Sequence, residues 1–392
     1  MANISRKNET LVPLQGYGNR PQLIPQFDQK KAGVNSDAIM TNYKSEKNEV
    51  PVTLANGSTV PLVAPPNKGE EELGEYNPFD HRKLDHPTSD LDTLIHLLKG
   101  SLGSGILAMP LAYANAGLGF GLFATCAVGF ICTYCVHILV NSAHTLCKRT
   151  RVPSLGYAEV GEAAFLAGPE GLQKWSRFAK AMINLFLVVD LLEGIGVVMP
   201  LENNMKTPTH FIGCPGVLNT GMFFVVSLYA SVGFFGFLKY GNETEGSITL
   251  NLPQHEILAQ CVKIMIAIAI FLTYSLQFYV PMEIIWKNLK QHFGVRKTLP
   301  EYSIRTVIVI GTVFIAIAIP NLGGFISLVG AVCLSTLGLI FPAVIDLVTF
   351  YEEPGLGRFN WRLWKNAFLI VFGLIGFITG TYVSIIEIAN GA

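Results

Sequence analysis

Charge is scarce in this chain. Asp, Glu, Lys and Arg together make up 14% of its 392 residues, where a soluble domain carries about a quarter. Half of the residues are hydrophobic and the mean hydropathy is +0.42, so an ordinary soluble domain is excluded. The 28 basic residues balance the 28 acidic ones, which leaves no net field to attract a nucleic acid. Cysteine is present without a pattern. None of the seven stands at metal-ligand spacing from another, and they do not read as a disulfide framework. Cys132 and Cys135 form a CxxC pair, but on an apolar helix, a poor setting for a redox thiolate. No nucleophile–base arrangement and no phosphate-cradling loop is visible. The Gly-x-Gly patterns lie inside apolar helices rather than after strands, which argues against a dinucleotide site. No enzymatic chemistry, cofactor or metal is therefore expected. The N-terminus is polar and carries no cleavable signal pattern.

What the chain does have is apolar runs. Residues 1–90 are rich in Pro, Asn, Lys and Glu, lack periodicity, and read as a disordered cytosolic tail that cannot bury enough surface to offset its entropy. Within it, Asn77-Pro78-Phe79 resembles a short endocytic sorting motif. A transmembrane domain is expected over 91–388. Eight runs there are long enough to span a bilayer: 91–116, 118–141, 178–201, 216–239, 257–282, 304–322, 325–350 and 366–388. The fold class is thus an all-α polytopic membrane protein. The stretch 153–177 is too polar to cross and suits an interfacial helix.

Orientation follows from Lys and Arg in short loops. Lys148, Arg149 and Arg151 place the loop after the second run in the cytosol, and Lys287, Lys290, Arg296 and Lys297 do the same after the fifth. The loop 241–256 has three Glu and no Lys or Arg, which suits the outside, where Asn242 of Asn242-Glu243-Thr244 is a glycosylation acceptor. Counting from both basic loops puts residues near 150 and 203–215 on the same side, with a single run, 178–201, between them. One crossing cannot join two points on one side. The run dips in and returns, or the charge rule fails, or an odd number of crossings is missing.

Two breaks interrupt this pattern. The first is Gly100-Ser101-Leu102-Gly103-Ser104-Gly105, ending at Pro110. Each interior Gly weakens a helix by about 1 kcal/mol relative to Ala, and lipid offers no partner for freed backbone groups. Such a run survives where it packs closely against protein or lines a wet cavity. In the second case its N–H groups, at the positive end of a half-helix, would hold a carboxylate, and the missing side chains would let a small ligand approach. In the first, Gly100 and Ser104 are a small-xxx-small packing pair. The second break is Glu193-Gly194-Ile195-Gly196, closed by Pro200. Glu193 at membrane depth defaults to a functional role, against the plain alternative of pairing with Lys99 or water. Two facing breaks would form a receptor for a zwitterion. His96, one turn before the first break, is suited to carry a proton or is a satisfied polar residue at the helix entrance. Asp190 could relay a proton or simply face the bundle. Tyr274 and Phe278 could line a pocket wall or pack as core aromatics.

The run from His96 through Leu107, with Pro110-Leu111-Ala112 and Asn115-Ala116-Gly117, resembles the first helix of proton-coupled amino acid transporters of the amino acid/auxin permease group. Glu193 through Asn203, Gly246 through Pro253, Leu276 through Pro281 and Ile326 through Gly330 are similar to further parts of that family. The resemblance covers about 86–388. It implies a LeuT-like inverted-repeat fold of eleven helices, with the first and sixth interrupted. It implies proton-coupled symport of small neutral amino acids at plasma, lysosomal or late endosomal membranes, with the proton as coupling ion and growth-signalling partners for some members. Carried over by position, His96 and Glu193 would couple the proton. Gly100, Ser101, Leu102, Gly103, Ser104, Gly105, Glu193 and Gly194 would contact substrate. By the same resemblance, Leu185 through Asp190 belong to the third helix and Glu193 onward to the sixth. The chain joins them directly, so about eight of eleven helices are expected, in an incomplete repeat. A non-transporting sensor or membrane interaction partner is the rival expectation.

Overall fold

The computed structural model describes residues 51–53, 59–61, 76–84, 86–190, 195–289, 298–318 and 322–390. Within the unit Glu49–Ala392 nearly all of this is helix. A short antiparallel pair, Pro51–Thr53 with Thr59–Pro61, precedes the helical part. Tyr76 to Leu84, inside the stretch read as tail, contains a 3-10 turn at Pro78–His81 with Pro78 buried. Residues 86–90 at the end of that stretch are described as well, and the rest of it lies outside the described residues.

The first apolar run forms α1 (Asp90–Ser101), a 3-10 segment (Ser104–Ala108) and α2 (Met109–Ala116). Ser89 starts α1 by a reciprocal cap: its hydroxyl accepts from the Asp92 N–H at 3.2 Å, and the Asp92 carboxylate accepts from the Ser89 N–H at 3.2 Å, which satisfies two donors the helix leaves open. The α-helices of six residues or more that follow among the described residues are α3 (Leu118–Thr150), α4 (Tyr157–Leu166), α5 (Ser176–Val189), α6 (Val198–Asn203), α7 (Val217–Tyr240), α8 (Ile257–Leu289), α9 (Thr298–Ala318), α10 (Leu322–Cys333), α11 (Phe341–Thr349) and α12 (Trp361–Asn390). A π-helical stretch, Leu334–Ile340, joins α10 to α11. Five of the described helices, or six with the bent α1–α2 pair counted as one, are long and apolar enough to cross a membrane.

Glycine notches set the packing of α1, α2, α3 and α7. A Cβ on Gly233 would stand 2.6 Å from the Tyr113 ring, and one on Gly221 2.7 Å from Leu97 Cδ2. A Cβ on Gly129 or Gly236 would lie 2.4 Å from Val226 or Pro110. Small residues let membrane helices approach until van der Waals contact, not hydrophobic exclusion, holds them.

The run 178–201 is not a crossing. α5 has 14 residues and reaches about 21 Å, short of the roughly 30 Å hydrocarbon core. α6 then returns to the side α5 left: Glu202 on α6 meets His144 near the end of α3 at 2.8 Å, and the Asn203 amide donates to the Leu155 carbonyl at 2.9 Å. Residues 176–203 dip in and return, so the loops near 150 and 203–215 share one side as their charges require. The sequence leads to an expectation of eight spans, and the described residues give at most six: 178–201 is not among them, nor is α9, whose run 304–322 extends past the described residues.

Candidate functional site

The helix through the first glycine cluster is broken. α1 ends at Ser101, Leu102 leaves helical geometry at φ −88°, ψ 66°, and Gly103 is extended at φ −85°, ψ −167°. The two halves meet at 50°. No side chain caps the turn that starts at Ser104, whose own side chain is outside the description. On the other side of the break, Tyr229 of α7 donates its hydroxyl to the Ser101 carbonyl at 3.0 Å, and the same oxygen stands 3.7 Å from where a Gly105 Cβ would be. A neighbouring helix thus satisfies a carbonyl that the break has freed.

Gly100 is buried, yet among the described residues no atom lies within 4 Å of a Cβ built on it. Close packing would have put a neighbour there, as it does at Gly221 and Gly233. Among the described residues, Gly100 instead has no neighbour on its open side. One turn earlier, the Nδ1 of His96 is buried without a hydrogen-bond partner among the described residues. Such a group costs about 1–3 kcal/mol unless water or a ligand meets it.

Glu193 and Gly194 lie outside the described residues. The far side of the second break is described: a 3-10 turn at Ile195–Val197 leads into α6. Asp190, buried at the end of α5, accepts from the Gly196 N–H at 3.2 Å, so its carboxylate supports this turn across the break. α1 packs against both the 195–197 turn and α6, and α8 packs against that turn as well. The described side of the second break thus lies beside α1, the helix that leads into the first break.

Tyr274 and Phe278 do not join them by any described contact. They stack on α8 with ring centroids 5.7 Å apart, and the Tyr274 hydroxyl meets Thr312 of α9 at 2.9 Å. Asn242 is exposed in the turn after α7, where the Thr244 hydroxyl donates to the Gly241 carbonyl at 2.6 Å. Cys132 and Cys135 remain free thiols. A cavity of about 730 Å³ opens between α3 and α7, where His137 Nε2 meets Asn219 Oδ1 at 2.7 Å; none of the break residues line it.

Three features escaped the sequence reading. Tyr229 sits in an unbroken apolar run and carries no local signal of its partner 128 residues away. Tyr157 of α4 donates to the Leu337 carbonyl within the π-helical stretch, whose widened turns leave backbone acceptors open; burial pushes its phenol well above the usual value and keeps it a donor. Arg82 places its guanidinium on buried Glu202.

The chain matches the family described as transmembrane amino acid transporter protein in two stretches, residues 86–192 and 191–386. They meet at residues 191–192, just before the second break. It is 37% identical over 431 residues to the proton-coupled amino acid transporter-like protein pathetic of Drosophila melanogaster, covering 83% of this chain and 91% of that protein. Since 83% of 392 residues is about 325, roughly a hundred of the aligned positions in the fly protein face no residue here. It is also 32% identical over 199 residues to amino acid transporter AVT3C of Arabidopsis thaliana, half of this chain and 42% of that protein. The interrupted first helix, the neighbouring second break and these two matches together make the chain a member of the transmembrane amino acid transporter family.

Proposed function

We propose that this chain binds small neutral amino acids between its two breaks and moves them with protons. The observation that carries the reading is the first break: an interrupted helix, a buried Gly100 with no described neighbour on its open side and an unpartnered His96 nitrogen one turn away. The uncapped turn at Ser104 presents the positive end of a half-helix to a carboxylate. The freed backbone of the second break, near Glu193, would take the ammonium. His96 would carry the coupling proton, since imidazole titrates at mildly acidic pH. The name of the fly relative, a proton-coupled amino acid transporter-like protein, supports this part. A lysosomal, late endosomal or plasma membrane fits a proton-driven carrier.

Uptake of alanine into proteoliposomes, measured from pH 5 to 7, tests the proposal. Acid-stimulated, saturable uptake is expected, and His96→Ala is expected to abolish the stimulation. Unchanged pH dependence in that variant would remove His96 from the mechanism.

One observation favours a second reading. About a hundred positions of the fly relative have no counterpart here, and 176–203 turns back instead of crossing. A chain with that gap would bind an amino acid without carrying it, as a sensor or a partner in growth signalling. Alanine binding with no flux supports this reading; saturable flux eliminates it.

A further inference from the structure

The segment before α1 is tied to the end of α6 by a row of polar links, all at the end of the helices assigned to the cytosol. Arg82 is the centre of the row. Its Nη1 lies 3.1 Å from Glu202 Oε1 and its Nη2 3.4 Å from Oε2, while its Nε donates to the Pro153 carbonyl at 2.9 Å. The Arg82 and Glu202 side chains are 4% and 0% exposed. His144 of α3 meets the same Oε1 at 2.8 Å, and Phe79 lies edge-on to His144. Further along, Thr88 pairs through its backbone with Asn204 at 2.9 Å and Lys206 at 3.0 Å. Asp90, first residue of α1, meets His210 at 2.8 Å and Thr207 at 3.1 Å.

These links join the entrance of the first broken helix to the exit of the second; the outer Asp90–His210 contact is exposed to water while the Arg82–Glu202 contact is buried. Apolar side chains hold the helices together deeper in. Polar links at a wet end can be exchanged for water at little cost. A buried carboxylate left alone cannot, so the Arg82–Glu202 contact makes the closed arrangement a definite state. We propose that the described stretches 76–84 and 86–88 form a strap whose Arg82–Glu202 clasp holds the cytosolic ends of the two broken helices together, and that it parts whenever the carrier opens to the cytosol. The gating role rests on the carrier reading above; the strap itself does not.

The test uses the full chain in lipid nanodiscs, digested briefly with trypsin, with cuts at Arg82 and Lys83 followed by mass spectrometry. Glu202→Gln keeps the shape of the acceptor and removes its charge. Arg82→Met alters only the strap and is read at Lys83. Cleavage within 76–88 is expected to rise roughly ten-fold or more in both variants, with the cut pattern elsewhere unchanged, because a docked segment is cut only when it opens. Wild-type protection in both variants overturns the strap. Cleavage throughout the chain in both also overturns it, since the pair would then hold the whole domain and not a releasable piece. Alanine accumulation is measured in proteoliposomes in parallel and is expected to fall in both variants, as a carrier that cannot close one end cannot alternate. A released strap with unchanged accumulation overturns the gating role. No accumulation by the wild-type chain, with release in both variants, refutes the carrier reading and leaves the strap standing.

Discussion

Gly100→Ala separates a binding hollow from a packing seam, because the two assign opposite signs to stability and to binding. In a helix Ala is favoured over Gly by about 0.5–1 kcal/mol. At Gly100 nothing described stands within 4 Å of the added carbon, so no clash opposes the gain. The variant should melt roughly 1–2 °C higher for a chain of this size. The same methyl occupies the room assigned to the ligand, and overfilling a fitted site costs about 1–3 kcal/mol, a loss of about 5- to 150-fold in affinity. Gly233→Ala is the control. Its methyl would meet the buried Tyr113 ring at 2.6 Å, so the ring must move, and the overpacking of about 1–3 kcal/mol outweighs the helix gain. Thermal melting in detergent and alanine binding to the same purified samples read both quantities. A Gly100→Ala variant that melts lower would show a packing contact there. One that melts higher and binds alanine as before would place the ligand somewhere else.

Tyr229→Phe removes the donor to the Ser101 carbonyl; between membrane helices such a bond is worth about 0.6–2 kcal/mol, so alanine affinity should drop by about 3- to 30-fold, and an unchanged affinity would detach Tyr229 from the site. Asn242→Gln should abolish a glycosidase-sensitive shift on gels of the cell-expressed protein; a shift that persists would move the loop 241–256 off the outer side or the glycan to another residue. Asp346 is 2% exposed and accepts from Lys365 at 2.9 Å and Asn366 at 2.7 Å. Asp346→Ala leaves a buried cation alone and should destabilise by about 3–5 kcal/mol, read as lost folded yield and a lower melting temperature; a melting curve like wild type would show that water reaches the site.

The sequence alone determined the setting and the places of interest. Membrane helices are legible because lipid forces every spanning segment to satisfy its own backbone, so length and hydropathy must appear locally in the chain. The breaks at 100–105 and 193–196 are legible for the same reason, since clustered glycines are tolerated at depth only with shelter. Charge counting even showed that something near residue 192 is irregular, although not which of three escapes was taken. The tertiary structure decided that: α5 is too short to cross, Asp190 supports the turn at Gly196, and Glu202 is held beside His144. It also decided that Gly100 has no described neighbour on its open side while Gly221 and Gly233 face neighbours, that Tyr229 completes the first break, and that Arg82, from a stretch that reads as tail, lies on Glu202. Hydropathy is a sum over neighbours along the chain, so one dimension carries it. A hydrogen bond or a void depends on which distant residues meet, and only the packed helices settle that.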